Sequence, residues 1–255
     1  MREILVIGVG AGDPEQVTMQ GVSALNRVDV FFVLDKGEVK QELVELRSEI
    51  LRRYATSKEY RVVVGRDPER DRTTSAYVEA VDDWRRRRAD VCADLIATEL
   101  GEDQVGAFLV WGDPSLYDST LAVIEQVLAS GEVAFEYEVV PGISSVHELT
   151  ARHRIALNRV GGAVQITTGR RLAAGWPEGV DDVVVMLDAD CSFRHLDPQG
   201  LEIYWGAYLG TPDELLVAGP LADVGKEIAR VRACARERKG WIMDTYLLRR
   251  SRSSE

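Results

Sequence analysis

In the first half of the chain, short apolar, β-branched runs alternate with longer stretches whose apolar residues fall three or four apart. The short runs, bounded by Gly, Pro, Asp or Asn, read as strands, and the longer ones as amphipathic helices. The pattern predicts strands at Ile4 to Val9, Val30 to Leu34, Arg61 to Val64, Val105 to Trp111 and Phe135 to Val140. The clearest helix runs from about Thr74 to Leu100, where Tyr77, Val81, Trp84, Val91 and Leu95 form one stripe and Gly101 offers a stop. Such alternation marks an α/β unit with a mostly parallel sheet.

After Pro141-Gly142 the texture changes. Ala163 to Thr168, Asp182 to Leu187, Leu201 to Leu209 and Glu214 to Ala218 follow as strands in quicker succession, then a helix from Leu221 to about Arg238 and a last strand from Trp241 to Leu248. The expectation is a two-domain α/β protein: residues 1–140 with a mostly parallel sheet and residues 141–250 with a mixed one, each layered αβα, and a disordered tail at 251–255. No internal repeat or low-complexity segment interrupts this plan.

Length and charge narrow the function. The 255 residues suffice for two cores, and 31 basic against 42 acidic residues leave a net charge of −11, which disfavours binding dominated by nucleic-acid phosphates. The run Arg85 to Arg88 does not reverse this, because Asp82 and Asp83 precede Arg86 and Arg87 by four residues and make ordinary helical pairs. Arg88 alone falls on the apolar face, placed to cap a buried carboxylate or to reach a cleft. No apolar run approaches the roughly 18 to 20 residues of a membrane span, and the chain enters a strand at once rather than a signal segment. A cytoplasmic protein is expected, away from membranes. Cys92, Cys191 and Cys234, with His147, His153 and His195, show no metal-ligand spacing, so neither a metal nor a disulfide is expected.

Three strands run into glycine-bearing turns: "ILVIGVGAGDP" at 4–14, "FLVWGDPSLYDS" at 108–119 and "EYEVVPGISSVHEL" at 136–149. The first resembles a dinucleotide loop but places Asp13 where that loop needs its third glycine beneath a pyrophosphate. Thr18 is the better helix cap, so residues 8–17 form a wide loop. Turns at the carboxyl ends of parallel strands are where an open α/β sheet places its ligand, and three of them together say more than any one. A nicotinamide-type oxidoreductase remains the alternative outside this reading, and Asp13 disfavours it.

In this order, G-x-G-x-G-D-P with Val17-Thr18 shortly after, a strand leading to G-D-P-x-x-Y, and V-P-G-I-S-S resemble the successive signatures of the tetrapyrrole (corrin/porphyrin) methylases, and the resemblance covers nearly the whole chain. It implies two α/β domains, a homodimer, an active cleft between the domains and S-adenosyl-L-methionine held largely by backbone groups, with S-adenosyl-L-homocysteine as product. By position, the cofactor contacts implied are Trp111, Gly112, Asp113 and Leu116, then Ser144 and Ser145, then Met186, Ala207 and Tyr208. Gly10, Ala11, Gly12 and Asp13 would line the substrate pocket. Ala11 stands where many relatives have proline, and Asp118 where relatives often have glycine.

Within the family, residues 26–51, the Trp84-bearing helix and the second loop most resemble the deacetylating precorrin methylases of the oxygen-dependent cobalamin pathway, which methylate C1 of precorrin-5 and release acetate. Other precorrin or uroporphyrinogen methylases, and protein or ribosomal-RNA methylases, share the fold. Deacylation needs a base or polarising group. Asp35, Lys36 and His153 are the candidates, though none stands out and each reads more readily as a solvated charge or a packed histidine. A polycarboxylate substrate calls for arginine forks, and Arg152, Arg154, Arg159, Arg170 and Arg171 lie near the third loop and the strand after it, with Arg154, Arg170 and Arg171 the chosen substrate ligands.

Overall fold

Ile4, Leu5, Val6 and Ile7 are all fully buried, so the first strand is covered on both faces, as a central parallel strand must be. The computed structural model describes residues 1–35, 41–69 and 77–251, and of residues 41–43 and 77–78 the backbone alone. The chain divides into two units, Met1–Ser144 and Ser145–Glu255.

The first unit runs β1 (Glu3–Gly8), α1 (Met19–Leu25), β2 (Val30–Asp35), α2 (Gln41–Tyr54), β3 (Arg61–Arg66), α3 (Tyr77–Glu99), β4 (Val105–Val110), α4 (Thr120–Ser130) and β5 (Glu136–Val140). The strands are parallel in the order β3-β2-β4-β1-β5. Strand side chains alternate between two cores. Ile4, Val6, Val30, Phe32, Phe108 and Val110 pack with α3 and α4, whereas Leu5, Ile7, Phe31, Ala107 and Val140 pack with α1 and α2. Helices therefore cover both faces. In the wide first loop, the Asp13 carboxylate caps a 3-10 turn by accepting the Glu15 N–H at 2.9 Å, and Thr18 Oγ1 accepts the Gly21 N–H at 2.9 Å, which starts α1 late, as expected.

The buried face of α3 differs from the predicted stripe. Ala89, Cys92, Ala93, Ile96 and Leu100 enter the core, whereas Val81, Trp84, Val91 and Leu95 are only half-buried and the side chain of Tyr77 lies outside the described residues, as do residues 74–76. Small residues let α3 approach its neighbours closely, and Trp84 sits at the rim, its Nε1 donating to Pro68 O at 2.9 Å. Cys92 is deep enough that burial pushes its thiol up to about 12, so it packs and does not react. Asp82 pairs with Arg85, and Asp83 with both Arg86 and Arg87, which places most of the arginine run in solvated helical pairs.

The second unit holds α5 (Ser145–His153), β6 (Val164–Thr168), α6 (Gly169–Ala173), β7 (Asp182–Met186), β8 (Leu201–Ala207), β9 (Leu215–Pro220), α7 (Leu221–Lys239) and β10 (Asp244–Arg250). Its sheet, β6-β7-β10-β8-β9, is mixed: β6 and β7 are parallel and the other neighbours antiparallel. Val183, Val185, Ile203, Trp205, Tyr246 and Leu248 build one core with α7 and Phe193, and α5 packs on β8, β9 and β10. The last strand begins at Asp244 rather than Trp241, because Gly240 turns the chain at φ +74° and Trp241 packs edge-on to Tyr208, ring centroids 5.0 Å apart. Ser251, expected in the tail, donates its N–H to Gly200 O at 2.7 Å, and residues 252–255 lie outside the described residues. Among the described residues no helix is long and apolar enough to cross a membrane.

Candidate functional site

Because β4, β1 and β5 are neighbours in the sheet, the turns that follow them emerge side by side at its carboxyl end. They touch through bare backbone. A Cβ on Gly142 would stand 2.1 Å from Gly112 O and 2.8 Å from Gly8 Cα, and one on Gly8 would stand 2.6 Å from Gly142 N. No L side chain fits at such distances. Gly112 donates to Gly10 O at 2.8 Å and Gly10 to Gly112 O at 3.3 Å, both glycines with positive φ, so the first two turns are also stitched as a two-residue bridge. The three turns suspected from sequence form one continuous backbone surface.

The side chains of these loops mostly serve that surface. Asp113 holds the loops together: Oδ1 accepts from the N–H of Ser115 at 2.9 Å and from its hydroxyl, and Oδ2 accepts the Gly142 N–H at 2.9 Å. Three of the roughly four lone-pair sites of its carboxylate are thus taken by the loops themselves. Ala11 is buried and its N–H donates to Gln16 Oε1 at 2.7 Å, Gly12 is buried as well, and Asp13 is spent on its cap. Leu116 is half-buried, and Tyr117 beside it adopts φ +52°, a strained value for an aromatic residue and common at functional turns. Ser144 is buried and Ser145 opens α5. Trp111 Nε1 is buried without a hydrogen-bond partner, a donor still lacking an acceptor at the head of the second loop. That orphan donor and the bare glycine surface fit a ligand held mainly by backbone, as a folded S-adenosylmethionine would be.

In the second unit, Met186 ends β7 half-buried, and Leu187 follows at φ +53° with 67% of its surface exposed. Asp188 anchors this turn from below. Its Oδ2 accepts from Tyr246 Oη and Ser192 N, both at 2.6 Å, and its Oδ1 from Ser192 Oγ at 2.9 Å. Burial, then the charge of Asp188, raise the Tyr246 phenol far above its ordinary range, so it stays a neutral donor. Arg232 donates to Asp188 O at 2.6 Å and Ala189 O at 3.2 Å while pairing with Asp244 at 2.8 Å. None of these supporting residues was singled out from sequence, and the acidic "LDADC" following an apolar strand was the available signal.

Ala207 and Tyr208 turn their side chains inward. Both are buried in the core, and the Tyr208 hydroxyl lies 2.6 Å from Trp241 O, so this turn can offer a ligand only its backbone. His153 is tied into the fold. Its Nε2 is bonded to Trp205 O at 3.0 Å and its ring meets Tyr204 edge-on, making it a satisfied packing residue. A carbonyl partner requires Nε2 to keep its proton, which removes the basic nitrogen from that side. Asp35 ends β2 exposed, and Lys36 lies outside the described residues. Of the five arginines, Arg152 is bound to Glu148 and Glu214, and Arg159 to Asp182; Arg152, Arg154, Arg170 and Arg171 are exposed. Among the described residues no cluster of three His, Cys, Asp or Glu side chains is arranged to hold a metal.

Comparison with known proteins is consistent across sequence and structure. A family profile described as Tetrapyrrole (Corrin/Porphyrin) Methylases matches residues 3–225. The chain is 51% identical over 250 residues to a Precorrin-6A synthase [deacetylating] of Sinorhizobium sp, covering 98% of this chain and 96% of that protein. A crystal structure of a cobalamin-synthesis-related protein (CobF) from Corynebacterium diphtheriae superposes with a TM-score of 0.85 at 37% identity, over 99% of this chain and 100% of that one. The uroporphyrin-III C-methyltransferase of Thermus thermophilus complexed with S-adenosylhomocysteine shares the fold, with a TM-score of 0.57 at 18% identity over 96% of each chain.

Proposed function

This chain belongs to the tetrapyrrole (corrin/porphyrin) methylases, and from that premise we propose that it methylates C1 of precorrin-5 and releases the extruded acetyl group as acetate, yielding precorrin-6A. The observation that carries the choice of reaction is its end-to-end likeness to the Sinorhizobium enzyme. S-adenosylmethionine, when bound, supplies a methyl group on a sulfonium. The chain's own task is then alignment, because an in-line displacement by a ring carbon needs no protein nucleophile and gains most from orientation. Gly112 and the turn residues around it present backbone donors and acceptors, Trp111 Nε1 supplies a donor in want of an acceptor, and Asp113 keeps the second and third loops in register. Leu116 supplies apolar surface for an adenine.

The exposed Arg154, Arg170 and Arg171 suit the carboxylates of the substrate, since the guanidinium fork matches a carboxylate edge. Replacing Arg154 and Arg170 together by Gln is expected to weaken precorrin binding about tenfold and to flatten its salt dependence, measured by titration at several ionic strengths. Unchanged affinity and slope would remove them from the site. Asp35 is the remaining described candidate for delivering water to the acetyl carbonyl. The same reading makes the protein a cytoplasmic homodimer acting on a small molecule, without metal, membrane or nucleic acid. The reaction is tested by mass spectrometry of a precorrin-5 and S-adenosylmethionine incubation: one methyl gained with one acetate formed supports it, and methylation without acetate refutes it.

A further inference from the structure

We propose that Arg47, with Arg88 behind it, forms an anion subsite over the carboxyl end of the first sheet that receives a peripheral carboxylate of the tetrapyrrole. This rests on the reaction proposed above for its ligand class. It involves none of Arg154, Arg170 and Arg171, the arginines chosen from sequence as substrate ligands. Arg47 lies on α2 and Arg88 on α3, helices that pack on opposite faces of the sheet. Side chains from opposite faces act on one another only past the ends of the strands. The end in question is the carboxyl one, because the acidic partners Asp67 and Asp118 follow β3 and β4. That is the same edge from which the three glycine turns emerge.

The two arginines are held very differently. Arg88 is 8% exposed, and its Nε lies 3.1 Å from Asp67 Oδ1. Its Nη1 donates to Ser119 Oγ at 2.8 Å, and its guanidinium stacks 4.9 Å above the Trp84 ring. Ser119 consequently gives no side-chain cap to α4. Arg88 thus does what its place on the apolar face suggested, pairing with a buried carboxylate. Arg47 is half-buried, its Nε is fully shielded from solvent, and no hydrogen bond or ion pair reaches it from any described residue. Asp118 is near enough to favour its charge, but that carboxylate accepts the Thr120 N–H at 2.6 Å and is exposed. Desolvation therefore dominates, with the repulsion of Arg88 added, and lowers the Arg47 pKa.

A guanidinium whose Nε is shielded from water and given no partner costs the fold that carries it. Helix α2 could bury a methionine there at no such cost. An incoming carboxylate would fill the vacant donor set in a bidentate manner and face a second positive charge at Arg88, while Asp67 keeps Arg88 in place. The ligand class follows from this chemistry: a planar oxyanion small enough to enter beside the second loop, carried by a polycarboxylate.

The test uses the full chain with Arg47→Met and Arg47→Lys. The probes are precorrin-5 turnover and equilibrium binding of uroporphyrin III, a stable octacarboxylic tetrapyrrole. Arg47→Met is expected to weaken uroporphyrin binding and raise the precorrin KM by about ten- to a hundredfold, with Lys between it and the parent. S-adenosylhomocysteine affinity is expected to stay within about twofold, and the unfolding midpoint to be unchanged or raised. A lowered midpoint with tetrapyrrole affinity intact would make Arg47 a structural residue, and unchanged affinity by itself overturns the subsite. If the parent binds uroporphyrin through Arg47 but does not convert precorrin-5, the subsite stands and the proposed reaction falls.

Discussion

Gly142→Ala abolishes measurable S-adenosylhomocysteine binding and lowers the unfolding midpoint of the protein by on the order of 10 °C. This expected result follows from what the new methyl would meet: Gly112 O at 2.1 Å and Gly8 Cα at 2.8 Å, both backbone. Overpacking against side chains typically costs about 1–3 kcal/mol because rotamers can yield, and here no rotamer is available, so the cost exceeds that range. The chain can accommodate the methyl only by moving the third turn away from the second, which breaks the Gly142 N–H bond to Asp113 and opens the surface a cofactor needs. Gly131→Ala is the control. Gly131 has a positive φ, at +70°, but nothing lies within 4 Å of its Cβ position, so only about 1–2 kcal/mol of conformational strain is added. Calorimetric titration of both variants with S-adenosylhomocysteine separates the effects. Parent-like affinity in Gly142→Ala would show that the glycine contact does not shape the ligand site.

The second large effect is expected at Arg232→Met, about 3–5 kcal/mol of lost stability. Arg232 and Asp244 have side chains only 8% and 7% exposed, and Trp205 Nε1 shares the same carboxylate at 2.9 Å. Removing the guanidinium strands a buried charge and leaves Asp188 O and Ala189 O without their donor. Because those carbonyls belong to the turn after Met186, methyl transfer is expected to fall along with stability. Adding Asp244→Asn removes the stranded charge and should recover part of the loss, and a double-mutant cycle on denaturant midpoints measures the coupling. Loss below about 1 kcal/mol in the single variant would mean that water or a new partner solvates Asp244, against the buried-pair account.

Much of the first unit can be read from the residues because its rules are local. Ile4 to Val9 reads as a strand and Thr18 as the cap of a late helix, and each follows from neighbours a few positions away. Reading α3 locally misplaced its core face, since Trp84 outweighs Ala89, Cys92 and Ala93 in any hydrophobic pattern, although the small residues are the ones that fit the tight gap. His153 illustrates the same limit. Its residue type suggests chemistry, and only the fold reveals that a carbonyl 52 residues away holds its nitrogen.

The opening glycines show most clearly where local information ends. The pattern along the chain established three strand-end turns of unusual glycine content, an α/β plan and, through the order of its motifs, a family. It could not establish that Gly8, Gly112 and Gly142 meet, because contact among residues so distant in sequence depends on the strand order β4-β1-β5, a property of the whole sheet. The same holds for charge. Thirty-one basic residues are equivalent in composition, and burial decides between them: Arg88 is paired behind Trp84 and Arg232 is locked to Asp244, each within its own unit, whereas the Nε of Arg47 is shielded from water without a hydrogen-bond partner. Desolvation acts on atoms brought together in space, so it leaves no trace in the order of the residues.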